Sequence, residues 1–150
     1  MANAKWLCYA LKIPLIVLST LEVMALSVIN SHSTNEEEIY FCPMIDARRM
    51  EIFTAIYDIQ LHEILSPCAM ILSDKLIDDI LKNNKIIFFG SGAGKSESII
   101  KNPNAKFINA EINPNAIAEL SSKKFIQSEF ENLAYSQPLY IKEFHTILNP

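Results

Sequence analysis

The chain has 150 residues, half of them hydrophobic and a fifth charged, with a formal net charge of −4. That length and apolar content support one substantial core, and the acidic balance speaks against nucleic-acid binding by this chain alone, because Arg48-Arg49 and Lys123-Lys124 are isolated basic pairs rather than a stripe. Cys8, Cys42 and Cys68 are an odd set at wide spacing among apolar neighbours, which excludes a disulfide framework and suits buried thiols in a reducing, cytoplasmic compartment.

Residues 2–12 read as the end of a helix. The apolar run over 6–29 has the length of a membrane helix, but Lys12, Pro14 and Glu22 interrupt it and it divides into two elements. "PLIVLS" predicts a strand at 14–18. "STLE" at 19–22 is a capping box opening a helix over 20–30 with Leu21, Met24, Ala25 and Val28 on one face. The polar "NSHSTNEEE" then reads as a linker at 32–37, which leaves 1–31 as an α-β-α remnant of one lobe ahead of a complete lobe at 38–150. A strand at 14–18 has no partner strand of its own sheet, so its open edge predicts self-association, with a homodimer as the simplest product.

Three strand-like runs follow in succession: "EIYFCPMI" at 38–45, "EIFTAIYD" at 51–58, and "LHEIL" at 61–65 with an extension through "AMIL". Short polar connections make them an antiparallel meander, with Tyr57, Asp58 and Gln60 around its second turn. The pattern then alternates. Ser73 is placed to cap a helix with Leu76, Ile77, Ile80 and Leu81 on one face, "KIIFFG" is a short buried strand, a helix or turn covers about 93–100, and "AKFIN" is another strand. "NPNAIAEL" puts Asn113 at an N-cap and Pro114 at the first helical position. From residue 38 the order is βββαβαβα, that of an α/β, ribonuclease-H-like half-domain of actin-like proteins.

"FFGSGAGKS" at 88–96 has the look of a phosphate loop, with Gly90, Gly92 and Gly94 all in one turn. The Walker pattern G-x-x-x-x-G-K-S/T needs its opening glycine at position 89, which is Phe89; the loop is one residue short, and a tight strand-to-helix turn is the favoured reading over a nucleotide site. No cofactor is called for. His32, His62 and His145 are scattered, without metal-ligand spacing or a local Cys-His or Ser-His pair, so neither a metal nor a catalytic residue is assigned. Asp46, Arg48 and Glu51 fall where the first meander strand turns into the second, either as a plain hairpin corner or as a polar cluster that meets a partner subunit.

"CYALKIPLIVLSTLEVMAL" at 8–26, "PMIDARRMEIFTAIYD" at 43–58, "IIFFGSGAGK" at 86–95 and "AYSQPLYIKEF" at 134–144 resemble, in that order, segments of the TsaB (YeaZ) family of bacterial tRNA threonylcarbamoyladenosine biosynthesis proteins. The "IDAR" with Glu51 after it and the closing "PLYIK" are the most specific. The family's opening strand and its later glycine-rich segment have no counterpart here, and Trp6 stands where the family usually has a small glycine. The resemblance implies a non-catalytic subunit that pairs with the transferase TsaD and the ATPase TsaE in modifying the adenosine beside the anticodon, meeting tRNA only through the complex. Alternatives are a small-molecule- or nucleotide-binding actin-like module or an inactive glycoprotease relative. It also implies that Trp6, Leu7 and Leu11 lie on the subunit-contact lobe, and that Tyr140, Ile141 and Lys142 belong to a returning terminal segment.

Overall fold

The computed structural model describes residues 1–32, 39–48, 50–72, 75–139 and 141. Its elements run α1 (Ala2–Leu11), α2 (Thr20–Ser31), β1 (Ile39–Asp46), β2 (Glu51–Tyr57), β3 (Glu63–Ile71), α3 (Lys75–Leu81), β4 (Lys85–Phe89), α4 (Ala93–Glu97), β5 (Ala105–Phe107) and α5 (Pro114–Ile126). The five strands form one sheet in the order β3-β2-β1-β4-β5, with the meander antiparallel and β4 and β5 added parallel to β1. This is the expected α/β, ribonuclease-H-like arrangement.

The sheet is covered on both faces, which is why β1 and β4 read as continuous apolar runs. Alternate residues sort cleanly. Cys42, Met44, Ile86 and Phe88 face a core closed by Ile77 and Leu81 of α3, whereas Phe41, Ile87 and Phe89 face Leu21, Ala25 and Val28 of α2. α2 has a second buried side, where Val23 and Leu26 meet Ala116 and Leu120 of α5. The layers therefore stack as α3, sheet, α2, α5. Asn113 caps α5 as expected, its side chain accepting the Asn115 N–H, and the buried Ser27 hydroxyl of α2 accepts the Asn113 N–H at 3.0 Å, pinning that cap to α2.

Pro43 lies within the central strand, where a missing N–H is unusual. The neighbouring strand adds a side-chain bond at the same residue. The buried Thr54 hydroxyl donates to the Pro43 carbonyl at 2.8 Å, and Thr54 Oγ1 lies 3.2 Å from Cys42 Sγ. Burial pushes the Cys42 thiol up to about 12, so it stays protonated and inert.

Two expectations change on contact with the structure. Residues 14–18 are extended but do not form a sheet strand: Leu15 makes a single antiparallel bridge to Glu131, whose N–H donates to the Leu15 carbonyl at 2.8 Å, and Lys124 Nζ reaches the Val17 carbonyl at 3.2 Å. β-branched content marked the segment as extended, but the edge is capped by the chain that follows α5 instead of by a sheet. At the start of α2, Ser19 is the N-cap by position yet makes no side-chain capping bond, so the reciprocal capping box is not formed. Ser73, and the linker except for His32, lie outside the described residues. No described helix is long and apolar enough to cross a membrane.

The three glycines separate by geometry. Gly90 has φ +98°, and a Cβ there would stand 2.5 Å from both the Met24 Cε and the Met44 carbonyl oxygen, whereas a Cβ on Gly94 would meet nothing within 4 Å. Gly90→Ala is therefore expected to lower unfolding free energy by about 2–4 kcal/mol, through the left-handed backbone and the clash together. Gly94→Ala, in a helical turn with free space, is expected to leave stability within about 1 kcal/mol of the parent, on the stabilising side. Urea unfolding of the two variants checks the contrast.

Candidate functional site

β1 and β4 are neighbouring parallel strands, so Asp46 and Phe89 end at the same edge of the sheet, the edge where α/β folds place ligands and partners. Two connections meet there. The β1–β2 turn brings Asp46, Arg48 and Glu51, and the Gly90–Gly94 loop brings Ser91 and, one turn into α4, Lys95. The Ser91 hydroxyl accepts the Asp46 N–H at 3.1 Å, and Asp46 Oδ1 accepts the Arg48 N–H at 3.2 Å. Lys95 Nζ closes the cluster by donating to Asp46 Oδ1 and, at 2.6 Å, to the Glu51 carbonyl. The Lys95 side chain is 23% exposed and that of Asp46 52%.

These contacts set the electrostatics. The Lys95 hydrogen bond holds the Asp46 carboxyl below the ordinary carboxylate value, with the Arg48 and Ala47 N–H groups assisting against a smaller desolvation effect. The same contacts turn Lys95 onto the meander corner. A phosphate-loop lysine must instead reach into the loop, whose backbone N–H groups point at the anion. Here the Gly92 N–H donates to the Met44 carbonyl at 3.0 Å, and a Cβ at Gly92 would lie 3.0 Å from Ile52 Cγ2 and 3.1 Å from Met44 Cβ. Gly90 and Gly92 thus have a packing reason, the close approach of the loop to the end of β1. Among the described residues no cluster of three or more His, Cys, Asp or Glu side chains is arranged to hold a metal.

Trp6 and Leu11 belong to another surface. α1 buries only Cys8, while Trp6, Leu7, Tyr9 and Leu11 are each 61–71% exposed. Beside them an open groove of about 840 Å³ is lined by Lys5, Trp6, Tyr9, Leu133 and Ala134, and Lys5 Nζ ties its two walls by donating to the Ser136 carbonyl at 2.9 Å. Phe125 and Ile126 at the end of α5, and Tyr135 and Leu139 in the chain that follows it, are also exposed. None of the β1–β2 corner residues lines this groove.

Residues 1–142 match the family described as TsaD, tRNA N6-adenosine threonylcarbamoyltransferase. The chain belongs to that family. Its fold is similar to two structures from Pseudomonas aeruginosa: an uncharacterised protein with similarity to the peptidase YeaZ, at TM-score 0.73 and 16% identity over 94% of this chain, and YeaZ itself, at TM-score 0.70 and 17% identity over 93%. In both cases this chain spans 65% of the length of the other. No curated protein matches it significantly in sequence.

Within this TsaD-family chain, the sequence had marked Asp46, Arg48 and Glu51 as one cluster and the three glycines as another, and the structure joins the two. The link it missed is Lys95, read only as the start of a helix. The available signal was the shared sheet edge, since two parallel strands ending side by side bring the residues just after them together. Ser91 carried no signal at all. His62, expected as a lone exposed residue, pairs through Nδ1 with Asp58 Oδ2 at 2.9 Å, while His32 is half-buried edge-to-face against Phe41. Tyr140 and Lys142 lie outside the described residues.

The Asp46 carboxyl gives a pH test. Its folded pKa lies below the unfolded value near 3.8, so its contribution is fully present above that value and is lost as pH falls through the lower folded pKa. Asp46→Asn is expected to lower stability by a constant amount above about pH 4 and to flatten the decline below it, so that the two profiles converge in acid. Thermal melts of the two proteins from pH 2 to 7 measure it; parallel curves through the acid range would show that Asp46 does not carry the pairing.

Proposed function

We propose that the chain is a non-catalytic interaction subunit in N6-threonylcarbamoyladenosine modification of tRNA, working beside TsaD and TsaE, with tRNA reached only through the complex. The observation that carries this reading is the outer face of α1. A ten-residue helix that exposes Trp6, Leu7, Tyr9 and Leu11 and buries one cysteine has little reason to be apolar unless another surface covers it. Trp and Tyr are the residues that dominate protein interfaces, because they bury large area with few rotors. The family match directs the choice of partner, and the YeaZ-like fold supports an accessory role.

The glycine loop adds support from a second direction. A nucleotide-binding module would keep the N–H groups of Gly90–Gly94 and the Lys95 ammonium available to phosphate, whereas the Gly92 N–H and Lys95 serve the Met44 carbonyl and the β1–β2 corner. ATP titration of the isolated chain is expected to show no saturable binding. A homodimer would use the same apolar face and would compete with TsaD for it.

Purified chain mixed with TsaD is expected to co-elute with it in size exclusion, and Trp6→Glu to weaken that association by roughly thirtyfold or more, as loss of a central aromatic anchor does. Retention of full affinity in both Trp6→Glu and Leu11→Glu would remove α1 from the interface. Failure of the unaltered chain to bind TsaD at all, together with saturable ATP binding that Lys95→Ala abolishes, would replace this reading with the nucleotide-binding one.

A further inference from the structure

The β1–β2 corner is fixed more firmly than an exposed hairpin requires. Arg48 and Met50 both adopt left-handed backbone, at φ 58° and 63°, a region that side chains other than glycine, asparagine and aspartate seldom enter. The described residues of the turn are nevertheless held by hydrogen bonds. The Ala47 N–H donates to the Glu51 carbonyl at 3.1 Å, the Glu51 N–H to the Arg48 carbonyl at 3.0 Å, and the Leu72 N–H to the Met50 carbonyl at 2.9 Å, in addition to the Ser91 and Asp46 contacts already described. In sequence, Asp46 is the acidic residue nearest Arg48. Here Lys95 occupies that carboxylate, arriving from α4, and the exposed Arg48 side chain has no ion pair among the described residues.

We propose that Lys95 is a positioning residue that, by holding Asp46 and the Glu51 carbonyl, fixes the corner and leaves Arg48 free to pair with a carboxylate on a protein partner, with the exposed Met50 as the adjoining apolar contact. This rests on the reading of the chain as an interaction subunit and adds to it a charged contact outside the α1 face. A protein surface suits the corner better than a phosphate backbone. The net charge is −4, Asp46 and Glu51 flank the arginine, and no basic stripe continues from it. The Arg48 guanidinium recognises a carboxylate in a forked, directional pair, which sets register and encounter rate more than bulk affinity.

The test is calorimetric titration of TsaD with the full chain and its variants at two salt concentrations. Arg48→Glu is expected to weaken binding about tenfold at low salt, to reduce the salt dependence, and to leave the melting temperature unchanged. Lys95→Met is expected to weaken binding about as much, Lys95→Arg to restore part of it, and Arg48→Glu to cost little further in the Lys95→Met background, the signature of coupled residues. If Lys95→Met lowers the melting temperature while Arg48→Glu keeps its full effect in that background, Lys95 is structural only and the positioning role is overturned. If Arg48→Glu binds TsaD as the parent does while Trp6→Glu does not, the interaction subunit stands and this inference falls; if the unaltered chain does not bind TsaD, both fall. Loss of affinity for tRNA instead of TsaD in Arg48→Glu would assign the corner to RNA and overturn the protein contact.

Discussion

The arrangement depends on how closely the Gly90–Gly92 turn approaches the end of β1. The Met44 carbonyl accepts the Gly92 N–H at 3.0 Å, and neither Gly90 nor Gly92 has ordinary clearance for a side chain. That approach fixes the direction in which α4 leaves the sheet, and so it delivers Lys95 to Asp46 and Ser91 to the Asp46 N–H. It also clamps Met24 of α2 against the loop, because the methyl of Met24 fills the space a Cβ at Gly90 would take. One backbone contact thereby couples the two-sided core to the polar corner. The turn brings the Gly92 N–H to the carbonyl of another strand.

The core itself is built by alternation in β1 and β4. Phe41, Ile87 and Phe89 point to α2, while Cys42, Met44, Ile86 and Phe88 point to α3. Burying both faces leaves the sheet's polar groups few places to go, and Thr54 shows how one is handled, its hydroxyl serving the carbonyl of Pro43 inside the central strand. Tyr57 shows the cost of the same enclosure. Its hydroxyl is buried without a hydrogen-bond partner among the described residues, and burial, followed by Glu63 and Glu22, pushes the phenol up to about 12.

The meander, the alternating second half and the Asn113–Pro114 helix start were legible because each is local: period-two apolarity, short turns, and a cap residue next to a proline. α2 was half legible. Its Leu21, Ala25 and Val28 face followed from spacing, but the Val23 and Leu26 side depends on α5, ninety residues later, which no local pattern announces. Residues 14–18 misled for the same reason, since extended backbone is a local property and sheet membership is not. At the corner, Asp46 and Arg48 stood out by type, and the glycines by density. Lys95 did not, because its partner is 49 positions away and a lysine at the start of a helix is ordinarily solvated.

α1 has a consequence beyond its apolar face. It is tied to the rest of the chain through the Lys5 bond to the Ser136 carbonyl, a weak Cys8 thiol contact to the Pro14 carbonyl at 3.6 Å, and little buried surface, and it ends at Lys12 in left-handed backbone. A helix anchored so lightly is expected to open at far lower free energy than the sheet, with its amide protons exchanging by local opening and those of β1 and β4 by global unfolding. Covering this helix would therefore be partly an ordering transition: the heat capacity of association would fall by more than a rigid interface of the same area implies, and the complex would trade some affinity for tolerance of differently shaped surfaces.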